Sequence, residues 1–195
     1  MSKLLNVSSS PHVRCGVSTK NLMYDVAIAM LPATIWGVMQ FGIYSLIVVV
    51  ATVLSCVLSE YLFETLMHKP VTISDGSALV TGMILGLNMP PAIPLWMPIL
   101  GGVFAIIVVK QLYGGLGQNW MNPALAARCF MLISFAQAMT KFTDPVTDAV
   151  ASATPLAAIK AGDTYDLAAM FIGKIPGTIG EVSVIALLIG AAYLL

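Results

Sequence analysis

The sequence has 195 residues, 58% of them hydrophobic and only 9% charged, with acidic and basic side chains in equal number. Globular chains carry about 25% charged residues; with a mean hydropathy of +0.92, a soluble globular domain is excluded and most of the surface must face lipid. A formal net charge of zero also excludes the basic stripe that nucleic-acid binding needs.

Residues 1–21 are polar, carry Lys3, Arg14 and Lys20, and have no apolar core, so they read as a cytoplasmic arm rather than a signal peptide. Transmembrane helices are expected over 22–139. Residues 22–41 are apolar except for Asp25 and long enough to cross about 30 Å of hydrocarbon, with Pro32 as a kink. A second span covers 43–66. Glu60 and Glu64 lie in its last turns, with His68 and Lys69 beyond, so its tail is expected to rise into the interface.

Residues 76–109 hold no charge but are interrupted by Pro90, Pro91, Pro94 and Pro98, which excludes one continuous helix. The pieces 78–89 and 95–109 reach only about 18 and 22 Å, short of a straight span. Broken helices are therefore expected, and freed backbone at membrane depth must be satisfied by other protein. After the glycine-rich turn at 114–117, Asn122 and Pro123 open a helix to about residue 138. Arg128 within it must face protein, water or an anionic ligand, or snorkel to the surface.

Residues 140–181 form the one extended polar region after the arm, placed outside the hydrocarbon, and 182–195 start a further transmembrane helix that the chain is expected to continue beyond. The fold class is thus an all-α polytopic membrane protein, a bundle of about six transmembrane helices including broken ones. Its orientation depends on residues 76–89. If they cross, Lys3, Arg14, Lys20, Lys69 and Lys110 are cytoplasmic and Lys141, Lys160 and Lys174 lie outside; if they re-enter, Lys110 changes places with the last three, which the positive-inside rule prefers.

Cys15, Cys56 and Cys129 are far apart with no Cys/His cluster, so no iron–sulfur or zinc centre can be built from this chain alone, and they read as packing residues. The twelve methionines read likewise, and His12 and His68 as solvated. Asp25, Glu60, Glu64 and Asp75 could serve an ion path, although all four lie near expected membrane ends, where an interfacial role competes. No hydrolytic triad or acid pair is evident.

Within the polar region, Thr154 followed by Pro155 reads as an N-cap with proline at the first helical position, opening a short helix that Gly162 ends. The same helix end would suit a phosphate held beside the Thr154 hydroxyl. Thr178 and Glu181 have the spacing of a capping box opening the final helix.

Several blocks together resemble the RnfD/NqrB family, membrane subunits of ion-pumping electron-transfer complexes. They are Ser10 through Arg14 leading into Ser18 through Val26, Asp75 through Leu87 with the Pro90–Pro91 break, Asn122-Pro123-Ala124, Asp148 through Leu156, and Pro176 through Glu181. The resemblance implies flavin mononucleotide (FMN) joined through its phosphate to Thr154, the last threonine of a pattern that Asp148, Ser152 and Ala153 also fit, while Ala151 stands where a hydroxyl residue is common. It further implies an extracytoplasmic Thr154, which requires residues 76–89 to cross, and a 176–181 loop packed near a flavin. Related subunits also hold noncovalent riboflavin.

On that resemblance the expected role is a flavin-carrying subunit of an Rnf-type ferredoxin:NAD oxidoreductase in a bacterial or archaeal cytoplasmic membrane, moving Na⁺ or H⁺ and not catalytic alone. The expected partners are another FMN-bearing subunit, iron–sulfur subunits, the bilayer and a flavin-attaching enzyme. The alternatives are an NqrB-like subunit of a Na⁺-translocating NADH:quinone oxidoreductase, a flavin-free channel or transporter, or a membrane scaffold.

Overall fold

The computed structural model describes residues 16, 18–143, 150–151, 159–160 and 167–195. The Ser18 hydroxyl accepts a hydrogen bond from the Asn21 amide at 3.3 Å and starts α1, Thr19–Phe41, which continues through Pro32. Gly42, at a φ of 82° that favours glycine, turns the chain into α2, Ile43–Leu66. Among the described residues these are the two helices of at least 18 residues apolar enough to cross a membrane, and four further apolar helices are shorter. The bundle has a near end, where α1 starts, and a far end, where α1 finishes.

The uncharged segment is broken as its prolines require. A 3-10 turn at Ile73–Asp75 leads into α3, Ser77–Leu87, and a loop through Pro90 and Pro91 leads to α4, Trp96–Val103. The latter runs without interruption into a π-helix, Phe104–Gln111. Its wider winding shows in bonds from the Leu112 amide to the Ile107 carbonyl at 3.1 Å and from the Gly115 amide to the Lys110 carbonyl at 3.0 Å.

This hairpin runs the length of α2. A Cβ on Gly82 would lie 2.6 Å from the Val53 Cα, so the missing side chain sets the approach of α3 to α2. Further along, Gly86 faces Val49, and at the hairpin tip the Tyr44 hydroxyl donates to the Ile93 carbonyl at 2.9 Å. The return leg passes Cys56, whose thiol donates to the Gly102 carbonyl at 3.8 Å, and ends at Glu60. From Tyr44 to Glu60 is about 24 Å of helix, and the hairpin lies along that length of α2.

The next helix, α5 (Pro123–Ser134), is capped by the Asn122 side chain, which accepts from the Ala124 and Leu125 amides at 3.0 and 3.4 Å. It rises beside the return leg, Phe130 stacking on Phe104 and Phe135 meeting the edge of Trp96. Expected to run to about residue 138, it instead breaks at Phe135, whose φ of −133° and ψ of 45° are not helical, and restarts as the short α6, Ala136–Met139. Residues 136–143 therefore emerge at the far end. There β1 (Phe142–Thr143) pairs antiparallel with β2 (Val150–Ala151), a two-residue exception to an otherwise helical fold.

After α7, Leu167–Ile172, the chain docks back on the bundle and descends as α8, Val184–Leu194. This last helix lies along α1: Gly190 packs against Ala29, and the Tyr193 hydroxyl donates to Asp25 at 3.5 Å. The main core lies between α2, the hairpin and α5, around Val48, Leu85, Met89, Ile93, Ala105, Ala127 and Met131.

Candidate functional site

The expected flavin-site residues Asp148, Ser152 and Thr154, with the cap at Pro155, lie outside the described residues. The flanks of that segment are described. On the C-terminal flank, the Ile179 amide donates to the Met89 carbonyl at 3.1 Å and the Gly180 amide to the Leu87 carbonyl at 2.8 Å. The loop thereby satisfies carbonyls that the end of α3 leaves free. Gly37 of α1 lies directly under the Ile179 carbonyl, where a side chain could not fit.

Thr178 does not open the final helix. Its amide donates to the Glu181 carboxylate at 3.4 Å, which is half of a capping box, but α8 starts at Val184 and is capped by the Ser183 hydroxyl, which accepts from the Ala186 amide at 3.3 Å. The amides of residues 179 and 180 are bonded instead to carbonyls at the end of α3, and the chain turns into helix only beyond them. The Thr178 hydroxyl is left buried with no partner among the described residues. It borders a cavity of about 400 Å³ between α1, α3 and α8, otherwise lined mostly by apolar side chains, with Asn88 and Glu181 at its polar edge.

Arg128 takes the protein-facing option. Its guanidinium donates to the Asn88 side-chain carbonyl, and the Asn88 amide group donates to the Ile84 carbonyl at 2.7 Å, so one asparagine joins α5 to the end of α3.

The near end holds a second polar centre. Glu60 and Glu64 were expected at the interface, yet they are 0% and 2% exposed. Being four residues apart, they share one face of α2, and that face is turned inward against the π-helix. Lys110, itself 2% exposed, donates to Glu60 Oε1 at 2.7 Å and to the Ser77 hydroxyl at 2.5 Å. Gln111 Nε2 bridges the two acids, at 2.9 Å from Glu60 Oε1 and 3.2 Å from Glu64 Oε1.

Thr72 completes the Glu64 environment, donating from its hydroxyl to Oε1 at 2.5 Å and from its amide to Oε2 at 3.0 Å. The Ser77 hydroxyl in turn donates to Asp75 Oδ1 at 2.6 Å. Glu60 Oε2 alone is buried without a partner among the described residues of this centre. Of the four acids considered for an ion path, the fold thus gathers Glu60, Glu64 and Asp75, and leaves Asp25 near the end of α8. Lys110, Gln111, Thr72 and Ser77 were not anticipated as their partners. The available signal was an i, i+4 acid pair in an otherwise uncharged helix, with a lysine at the end of the next uncharged run.

The chain matches the model of the NQR2, RnfD, RnfE family over residues 6–195. It belongs to this family. It is 47% identical, over 98% of its length, to the D-type subunit of the Na⁺-translocating ferredoxin:NAD⁺ oxidoreductase complex of Acetobacterium woodii, covering 62% of that protein. It is 40% identical, over 98% of its length and 62% of the relative, to the D-type subunit of the proton-translocating ferredoxin:NAD⁺ oxidoreductase complex of Clostridium ljungdahlii. A third relative, the D-type subunit of the ion-translocating oxidoreductase complex of Shewanella denitrificans, is 40% identical over 80% of this chain and 45% of its own. The chain thus spans about three-fifths of the length of the first two relatives. Family membership and the apolar helices together make it a membrane protein.

Proposed function

We propose that the chain is a membrane subunit of an Rnf-type ferredoxin:NAD⁺ oxidoreductase complex, carrying FMN on Thr154 and contributing to the movement of Na⁺ or H⁺ across the cytoplasmic membrane. The observation that carries this reading is the match, along nearly the whole chain, to the D-type subunits of such complexes. The other subunits, which bear iron–sulfur and nucleotide chemistry, are its partners. This chain alone is not a catalyst.

The fold supports the proposed placement of Thr154. The described flanks, α6 with β1 on one side and α7 on the other, leave the bundle at the far end, opposite Thr19. With the arm in the cytoplasm, residues 140–181 are extracytoplasmic. The charge count alone favoured the opposite arrangement, but only three lysines decide it and they stand among five acids. The short apolar helices then complete a bundle of about six spans together with α1 and α2.

Bound FMN would supply one- and two-electron transfer. The Thr154 hydroxyl would hold its phosphate, and the helix start that the Thr154–Pro155 pair leads one to expect would favour the negative charge. A mostly apolar cavity bordered by the buried Thr178 hydroxyl and Asn88 is chemically suited to a flat ring system with a polar edge. At the near end, Glu60 and Glu64 are the carboxylates best placed to meet a moving cation.

The test is flavin fluorescence of the denatured protein band under ultraviolet light, from cells that possess the attaching enzyme. Fluorescence in the wild type that disappears in Thr154→Ala is the expected result. A dark wild-type band overturns the flavin-carrying role.

A further inference from the structure

The near-end centre holds two buried carboxylates, Glu60 and Glu64, and one buried ammonium, Lys110. Counting Glu60 and Glu64 as ionised and Lys110 as charged leaves one uncompensated negative charge among the buried groups, before the half-buried Asp75 is added, inside a low-dielectric bundle where an unpaired charge is costly. The unpartnered oxygen of that group, Glu60 Oε2, is where a further cation would find an acceptor. Neutral donors already serve the rest: Gln111 and Thr72 saturate the facing oxygens.

Lys110 has somewhere to go. Beside it lies a cavity of about 190 Å³ that Lys110 itself helps to line, and its other polar walls are Ser77, Thr81, Asn119 and Asn122. Hydroxyl and amide oxygens can accept from an ammonium as well as carboxylate oxygens do geometrically, though without the charge. Ser77 already accepts from Lys110 at 2.5 Å, so it stands on both positions. Lys110 is carried by a π-helix, a winding that occurs mostly as single turns and frequently at functional sites.

We propose that Lys110 is a tethered competitor for a monovalent cation at the Glu60–Glu64 pair: the ammonium occupies Glu60 while the pair is empty and swings into the Ser77–Asn122 cavity when a cation loads. The exchange balances charge, since one cation enters beside the two carboxylates as the ammonium withdraws a few ångströms to neutral acceptors. The groups facing Glu60 are Cys56 and Glu64 from α2, Asp75 from the 3-10 turn, and Lys110 and Gln111 from the π-helix. The incoming cation is Na⁺ or a proton. The inference rests on the ion-path reading of the two acids and is independent of the flavin on Thr154.

The test reads binding and not electron transfer, on the intact complex in detergent, so a failed flavin experiment leaves it standing. Carboxylate infrared difference spectra are recorded while NaCl replaces choline chloride at fixed pH, and separately while pH falls without Na⁺. The expected result is a saturable carboxylate change in one titration, absent in Glu60→Gln. Its midpoint shifts in Lys110→Gln, at least tenfold lower in Na⁺ or at least one pH unit higher for a proton.

The two titrations distinguish the cations. In the wild type, acylation of Lys110 by a small amine-reactive anhydride, which releases its carboxylate as the amide forms, should rise severalfold at the saturating end of the responsive titration, as located by peptide mass. This second measurement needs no variant and decides the matter should Lys110→Gln not assemble. No saturable change in either titration, an unmoved midpoint in Lys110→Gln, or Lys110 labelling unaffected by loading overturns the proposal.

Discussion

Lys110 illustrates what a single side chain decides in this fold. A buried ammonium bonded to a carboxylate at 2.7 Å cannot be removed without stranding its partner. Lys110→Met should therefore destabilise the protein by about 3–5 kcal/mol, read as a lowered unfolding midpoint in detergent. Adding Glu60→Gln should recover most of that loss, because the stranded charge is gone; a double variant no more stable than the single one would contradict the pairing.

Thr178 makes the opposite case. Its hydroxyl is buried without a partner among the described residues, so Thr178→Val loses no hydrogen bond and should leave the stability of the flavin-free protein within about 0.5 kcal/mol of wild type. These two residues also mark what sequence could not show. A lysine after an uncharged run reads as a span end, and a threonine three residues before a glutamate reads as a helix start. The first stands, since Lys110 does lie at the end of the return leg, but it gives no sign of a partner 50 residues away; the second fails because Ser183 caps the final helix in place of Thr178.

At the scale of elements, the period and length of the apolar runs were enough to find α2 to the residue and to require the break after α3. Proline chemistry is local, and so is the capping of α5 by Asn122, which the structure bears out. What sequence did not carry was the π-helix, since no residue type specifies that winding, nor the depth reached by the hairpin. That depth is set by close contact between α2 and α3. Gly82→Leu should accordingly push the helices apart and cost at least about 1–3 kcal/mol, with a matching fall in thermal midpoint. Ser183→Ala should cost about 1 kcal/mol by removing the side-chain cap on α8.

For the whole molecule, the arrangement makes a prediction about sidedness. Lys69 follows α2 at the near end and Lys141 follows α6 at the far end. With the protein in sealed vesicles, Lys69→Cys and Lys141→Cys should react with a membrane-impermeant maleimide from opposite sides. Reaction from the same side would mean that only one leg of the hairpin crosses, as the re-entrant arrangement requires. The family blocks in the sequence pointed to this arrangement, while the charge count alone pointed the other way, because so few charges leave the positive-inside rule little to act on.

The pairing of the last described helix with the first also has a consequence in time. Asp25 and Tyr193 are 168 residues apart in the chain. At synthesis rates of about 5–20 residues per second, the face of α1 that α8 will cover stays open for roughly 8 to 34 seconds after α1 is made. During that interval the α1 surface around Ala29, where Gly190 will pack, stays uncovered, and lipid tails or an insertion factor must fill it. A ribosome stalled before residue 184 should leave α1 retained at the insertion machinery, where crosslinking from position 29 would find it, and release should follow once α8 has emerged.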